Sequence, residues 1–173
     1  RKKSTTCSTV LEYMPGGSLL ERLRPAPGAP ALEAQERLDV AADVGKALHY
    51  LHAEASPPLI HQDVKSDNIL LAEVGGRLIA KVADFGLSKS LYTATCYAQP
   101  QGSQQLPLRW LAPELLTPGL ADLQFSERTD VYAFGITLVE VFSKAVLPFG
   151  QWGNDMVIDR VQGGYVHARP RAC

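Results

Sequence analysis

The stretch His61-Gln62-Asp63-Val64-Lys65-Ser66-Asp67-Asn68 is followed downstream by Asp84-Phe85-Gly86, which puts an acid, a cation, an amide and a second acid in one order on two loops. These are the residue types that phosphoryl transfer needs. That reaction asks little covalent chemistry of a protein and much positioning: a group to receive a hydroxyl proton, oxygen ligands for magnesium, and positive charge near the departing phosphate. Taken one at a time, each residue has a plainer reading. A loop Asp is commonly a turn former or a helix cap, and a Lys is commonly solvated. Four in order, with a hydrophobic stretch between them, point to a shared task.

The elements that must hold these loops are readable from local patterns. Leu11-Glu12-Tyr13-Met14 reads as the end of a strand, broken by Pro15-Gly16-Gly17 before a short helix opens at Ser18, where Ser18 and Glu21 form a capping-box pair. Pro25, Pro27, Gly28 and Pro30 then favour an extended loop. From about Ala34 to His52, Leu38, Ala41, Val44, Leu48 and Leu51 recur at helical spacing, with Glu36, Arg37, Asp43 and Lys46 on polar flanks. Leu59-Ile60 and Ile69-Leu70-Leu71 are short β-type runs, and Gly75-Gly76 can turn the chain into Leu78-Ile79-Ala80-Lys81-Val82. A small hairpin therefore separates the two chemical loops, and it is expected to leave Asp63, Asn68 and Asp84 near one another on loop ends rather than in a core. Ser88 to Leu106 lacks periodicity and reads as a surface loop of functional length. Asp130 to Ser143 is apolar nearly all round, the pattern of a buried helix that Ser126 or Thr129 could cap.

Composition sets the frame. The chain has 173 residues, 46% of them hydrophobic, and a formal charge of -1, which suits one globular core and argues against nucleic acid or an anionic membrane surface as the main partner. Cys7, Cys96 and Cys173 are few, odd in number and scattered, so neither a disulfide framework nor a zinc site is suggested. A reducing setting fits, either cytoplasmic or on the cytoplasmic face of a larger protein. The longest apolar run, Val131 to Phe142, is interrupted by Thr137 and Glu140 and falls short of a membrane span. No direct membrane contact is expected from this segment, and oligomeric state is not readable.

The order of the chemical residues resembles the catalytic loop and magnesium motif of eukaryotic protein kinases. By that resemblance Asp63 is the catalytic base, Lys65 steadies the transferring phosphate, and Asn68 and Asp84 are magnesium ligands. Leu11 matches the gatekeeper, Glu12, Tyr13 and Met14 the hinge whose backbone binds adenine, Leu70 the apolar floor beneath adenine, and Ser18 a position near the ribose. Helix capping explains Ser18 equally well. Pro107-Leu108-Arg109-Trp110-Leu111-Ala112-Pro113-Glu114 looks like the segment that seats a substrate peptide, with Pro107, Arg109 and Trp110 as the substrate-binding candidates. Asp130, in Thr129-Asp130-Val131-Tyr132-Ala133-Phe134-Gly135, resembles the buried acid that braces the catalytic loop. Pro148-Phe149-Gly150 and Gly164 through Arg169-Pro170 continue the pattern. The resemblance implies a mainly α-helical kinase C-terminal lobe with a small β-hairpin. Residues 1–14 are then a remnant strand and hinge, and residues 15–173 the lobe, ending before its last helices. ATP, magnesium ions and a protein substrate are the implied cofactors and partner.

The pattern also breaks. Nothing before the hinge resembles the Gly-rich phosphate loop, the strand lysine or its glutamate partner, so the chain alone is expected to transfer phosphate very slowly or not at all. The family's arginine partner for the acid at Glu114 is not seen, leaving that corner loose if the acid is buried. Gln62 stands where an arginine usually precedes the catalytic aspartate, and an amide cannot clamp a phosphorylated loop as a guanidinium does. Tyr92, Thr93, Thr95, Tyr97 and Ser103 remain candidate phosphosites. Lys65 and its loop look like serine/threonine kinases, whereas Pro107-Leu108-Arg109-Trp110 looks like tyrosine kinases. The tyrosine-kinase-like group, mostly Ser/Thr-directed, accommodates both. The alternative is a pseudokinase-like scaffold that keeps the fold without phosphotransfer.

Overall fold

Ser18 opens the first helix, α1 (Leu19–Leu23), through the reciprocal pair its sequence implies: Ser18 Oγ accepts from Glu21 N at 3.2 Å, and Glu21 Oε2 accepts from Ser18 N at 2.9 Å. The structure is a computed structural model that describes residues 10–85, 89–90, 107–116, 124–168 and 170. Upstream, residues 10–14 are not a strand, contrary to the expectation. Pairing starts later, where Gly16 N donates to Leu71 O at 2.8 Å, Leu71 N donates to Gly17 O at 2.9 Å, and Ser18 bridges Leu70. This close approach explains the glycine at position 16, since a Cβ there would sit 2.6 Å from Leu71 O. Gly16→Ala is therefore expected to destabilise by about 1–3 kcal/mol, the usual range for overpacking, and a urea midpoint unchanged from wild type would contradict the contact.

The long helix α2 (Ala34–His49) continues into one π-helical turn, Tyr50–Glu54. Its buried stripe is Arg37, Val40, Val44, Leu48 and Leu51, one residue out of phase at its start from the stripe expected through Leu38, which is exposed. Arg37, expected on a polar flank, is buried because its guanidinium donates to Leu32 O and to Val141 O near the end of the central helix α3 (Glu127–Phe142). Arg24 donates through Nη2 to Ala145 O at 2.8 Å, in the turn that follows α3. Cations at a helix C-terminus satisfy carbonyls that have no intrahelical donor.

The hairpin forms as read. β2 (Ile69–Val74) and β3 (Arg77–Val82) pair antiparallel around Gly75 and Gly76, whose φ values of 60° and 76° are what a two-residue turn of this hand requires. It rests on α2, where Asp43 accepts from Ala80 N and Arg77 Nη2. A two-residue strand β1 (Leu59–Ile60) pairs antiparallel with β4 (Lys89–Ser90). Apart from β4, the segment from Ser88 to Leu106 lies outside the described residues, as do its candidate phosphosites and Cys7, Cys96 and Cys173. In α3, Ser126 is the N-cap and Thr129 Oγ1 accepts from its amide at 3.1 Å. A further helix, α4 (Asn154–Gln162), follows. The architecture is mainly helical with a small hairpin, as expected.

Two apolar clusters hold these pieces. One joins α1, α2, β2, β3 and α3 around Leu19, Val40, Val44, Ile69 and Leu71. The other joins the turns at Leu108–Trp110 and Pro113–Leu115 to α3 and α4 around Leu115, Ile136, Phe149 and Val157. Trp110 packs against both.

Candidate active site

The loop between β1 and β2 is fixed from below by α3. Asp130, 1% exposed, accepts from His61 N and His52 Nε2 on Oδ2, at 2.8 and 2.9 Å, and from Gln62 N on Oδ1 at 2.8 Å. These contacts hold Gln62 at φ 71°, a left-handed conformation that costs a non-glycine residue about 1–3 kcal/mol. Asp130 thus braces the loop as the resemblance implies. Thr137, about two helical turns further on, donates to Ala133 O at 2.8 Å and to Val64 O at 3.3 Å.

His61 carries the brace to the second loop. Its ring is fully buried, with Nε2 3.1 Å from Ala83 O and Nδ1 3.3 Å from Asp63 N. A carbonyl can only accept, so Nε2 bears the proton and Nδ1 accepts from the Asp63 amide. Ala83 N donates to Asn68 O at 2.8 Å, which ties the residue before Asp84 to the first loop. Phe85 stands edge-on to His61 with ring centroids 5.0 Å apart.

Burial lowers the His61 pKa below its usual 6.5, opposed by the charges of Asp130, Asp63 and Asp84 and by the Ala83 carbonyl. The sign follows directly. A lowered folded-state value means the unfolded chain takes up the proton first, so stability is intact above about pH 6.5 and falls as pH drops below it. Urea midpoints between pH 7.5 and pH 5.5 are expected to fall less in His61→Asn than in wild type; equal slopes would contradict the assignment.

Three of the four chemical residues, Asp63, Lys65 and Asn68, come together more tightly than loop ends suggest. Asp63 and Asn68 are buried, at 7% and 8% exposure, which corrects the expectation that they would lie outside a core. Asp63 Oδ2 receives two donors, Lys65 Nζ at 2.8 Å and Asn68 Nδ2 at 2.7 Å, and Asn68 Nδ2 also reaches Asp63 O at 2.8 Å. Asp63 Oδ1 is buried and has no hydrogen-bond partner among the described residues. Asn68 is aimed by a short 3₁₀ turn, Ser66–Asn68, and turning its amide toward Asp63 leaves its carbonyl oxygen for another partner. Asp84 is exposed, at φ 61°, a conformation Asp tolerates better than most residues.

The nucleotide candidates divide. Met14 is buried, and Ser18 and Leu70 are joined by a backbone bridge, so the last two sit together. Leu11 and Tyr13 are exposed, at 75% and 84%, and Glu12 is ion-paired with Lys81 on β3. Leu11 is not packed into a cavity as a gatekeeper would be. Ser18 acts as a helix cap, the second of its two readings.

The profile of the family described as protein tyrosine and serine/threonine kinase matches residues 2–173. The chain belongs to the protein kinase family. Among curated relatives it is 36% identical over 168 residues to the leukocyte tyrosine kinase receptor of Mus musculus, covering 95% of this chain and 18% of the relative. It is 34% identical over 165 residues to the tyrosine protein-kinase src-1 of Caenorhabditis elegans, covering 95% of this chain and 29% of the relative. The chain spans less than a third of the length of either. Both relatives are tyrosine kinases by name, and neither supports the expected Ser/Thr preference. No helix among the described residues is long and apolar enough to cross a membrane.

In this kinase domain the peptide-segment candidates are half-buried, and two of them bond within the fold. Arg109 gives Nη1 to Pro148 O and Phe149 O and Nη2 to Trp152 O and Asn154 Oδ1, so its guanidinium is committed within the fold. Trp110 Nε1 donates to Glu140 at 2.8 Å, while Pro107 is half-buried. Arg109 and Trp110 thus brace this segment from within the fold. Glu114, expected as a buried acid, is exposed, so its desolvation cost does not arise; burial and then the Glu114 charge raise the pKa of Tyr132. Sequence reasoning missed His52, Ser66 and Glu140. A signal was present for the last: Asp130, Thr137 and Glu140 are polar residues on one face of an otherwise apolar helix.

Proposed function

We propose that this chain is the catalytic lobe of an ATP-dependent protein kinase that phosphorylates protein hydroxyls within its full-length polypeptide. The observation that carries this reading is the asymmetry of the Asp63 carboxylate. Lys65 and Asn68 saturate Oδ2, whereas Oδ1 is left buried and without a partner among the described residues. A buried acceptor kept open is costly unless something uses it, and a substrate hydroxyl proton is the fitting guest. Asp63 orients that hydroxyl and receives its proton at Oδ1, and Lys65, already held against Asp63, contributes positive charge beside the departing phosphate.

Asn68 and Asp84 fit a magnesium ion. One amide oxygen and one exposed carboxylate are too few donors to cage a metal, and no cluster of three His, Cys, Asp or Glu that could do so occurs among the described residues. Magnesium instead keeps waters and takes phosphate oxygens, needing only one or two protein ligands. When bound it neutralises phosphate charge. Met14, Ser18 and Leu70 are the proposed adenosine contacts, with the backbone of Glu12 and Met14 offering adenine its hydrogen bonds. Leu11 is retained as a gatekeeper only if it becomes covered in the full-length protein. Pro107, Arg109 and Trp110 are proposed to shape the peptide seat through the backbone they hold.

Ser/Thr transfer is the reading favoured by Lys65 and the loop from Asp63 to Asn68, which look like those of serine/threonine kinases. Tyrosine transfer is favoured by Pro107 to Trp110 and by the names of both relatives. The test is phosphate transfer from Mg-ATP to Ser/Thr and Tyr peptides by the full-length protein that contains this chain. Label on either class supports the kinase reading and decides between acceptors. Nucleotide binding without transfer to any peptide favours the scaffold.

A further inference from the structure

Ser66, Trp110 and Glu140 stand on three separate pieces of chain and meet at one carboxylate. Glu140 is 3% exposed. Its Oε1 accepts from Ser66 Oγ at 2.7 Å, and its Oε2 accepts from Ser66 N at 3.3 Å and from Trp110 Nε1 at 2.8 Å. All three donors are neutral. A carboxylate taken this far from water is tolerated only when its lone pairs are filled, and bonds to an ionised acceptor are the stronger kind. Each donor is therefore held firmly, and loss of one alters the demand on the others.

The two residues that donate belong to the two parts of the proposed reaction. Ser66 follows Lys65 and opens the turn that aims Asn68 at Asp63. Trp110 closes the Leu108–Trp110 turn in the segment proposed to seat the peptide. Glu140 sits between them on α3, the same helix whose Asp130 braces His61 and Gln62. We infer that Glu140 is a positioning residue that ties the phosphate-transfer loop to the peptide-receiving segment, so that a shift in either is felt by the other. The inference rests on the kinase reading and adds to it a route by which peptide placement and proton acceptor stay in register.

The test is a double-mutant cycle in the full-length protein, with Ser66→Ala, Trp110→Phe and both together, measuring kcat and the KM for peptide and for ATP. Each single change is expected to raise the peptide KM about tenfold and leave the ATP KM within about twofold, because each removes one charge-assisted bond to the carboxylate that holds the peptide segment in register. The double variant is expected to lie near a single one rather than near the product of the two, since both act through one carboxylate. Independent, multiplicative effects would overturn the inference. If the wild-type protein transfers no phosphate, the functional reading falls, and the tie itself is read from the indole N–H resonance that Trp110→Phe removes. A shift of that resonance in Ser66→Ala upholds the link through Glu140, and an unmoved resonance overturns it.

Discussion

Replacing Asp63 with Asn in the full-length protein is expected to lower kcat by about a hundredfold to ten-thousandfold, the usual contribution of a positioned proton acceptor. Asn has nearly the same shape, so packing against the buried surroundings is preserved. What changes is chemistry at two atoms. Oδ1 or its replacement can no longer take a proton, and either the amide donor faces Lys65 and Asn68, which themselves only donate toward that position, or it faces the hydroxyl that needs an acceptor. The KM for ATP is expected to change little, because the proposed adenosine contacts at Met14, Ser18 and Leu70 lie elsewhere. Single-turnover phosphotransfer with thermal unfolding as a control is the measurement. A variant that unfolds like wild type and transfers within about threefold of its rate would remove Asp63 from the chemistry.

Asp130→Ala is expected to be the most damaging change to the fold, at about 3–5 kcal/mol, the range for removing one partner of a buried charged network. Two buried amides and the His52 ring would lose their acceptor together. Gln62 would also lose what holds it at positive φ, so the loop is expected to relax and activity to fall with stability. Asp130→Asn keeps one acceptor oxygen and is expected to cost less, about 1.5–3 kcal/mol. Urea unfolding of the two variants, with amide exchange at His61 and Gln62, separates brace from bulk packing. Equal stability of Asp130→Ala and wild type would show that the brace is not needed.

What could be read in the chain was what local chemistry decides. The Ser18–Glu21 box, the Gly75-Gly76 turn and the cap at Ser126 each depend on residues within a few positions of one another, and all three appear. The order of Asp63, Lys65, Asn68 and Asp84 suggested a chemistry, but not the burial of Asp63 and Asn68, because burial depends on what covers the loop. Arg37 reads as a flank residue until Val141, 104 residues away, offers a carbonyl. His52 finds Asp130 across 78 residues and Ser66 finds Glu140 across 74. Arg109 is of the same kind, since its acceptors belong to a loop some 40 residues later. No periodicity within a window reports such partners, and a polar residue on an apolar helix face is the nearest thing to a warning.

The division of the apolar side chains into two clusters that share α3 has a kinetic meaning. The loop that carries Asp63 and Asn68 is backed by the first cluster, and the Leu108–Leu116 stretch by the second. Transient opening of the second would loosen the Leu108–Leu116 stretch while the loop that carries Asp63 and Asn68 stays anchored on α3. Amide protons of the two regions are then expected to trade with solvent at separate rates, with the central helix slowest because it escapes only when both sides let go.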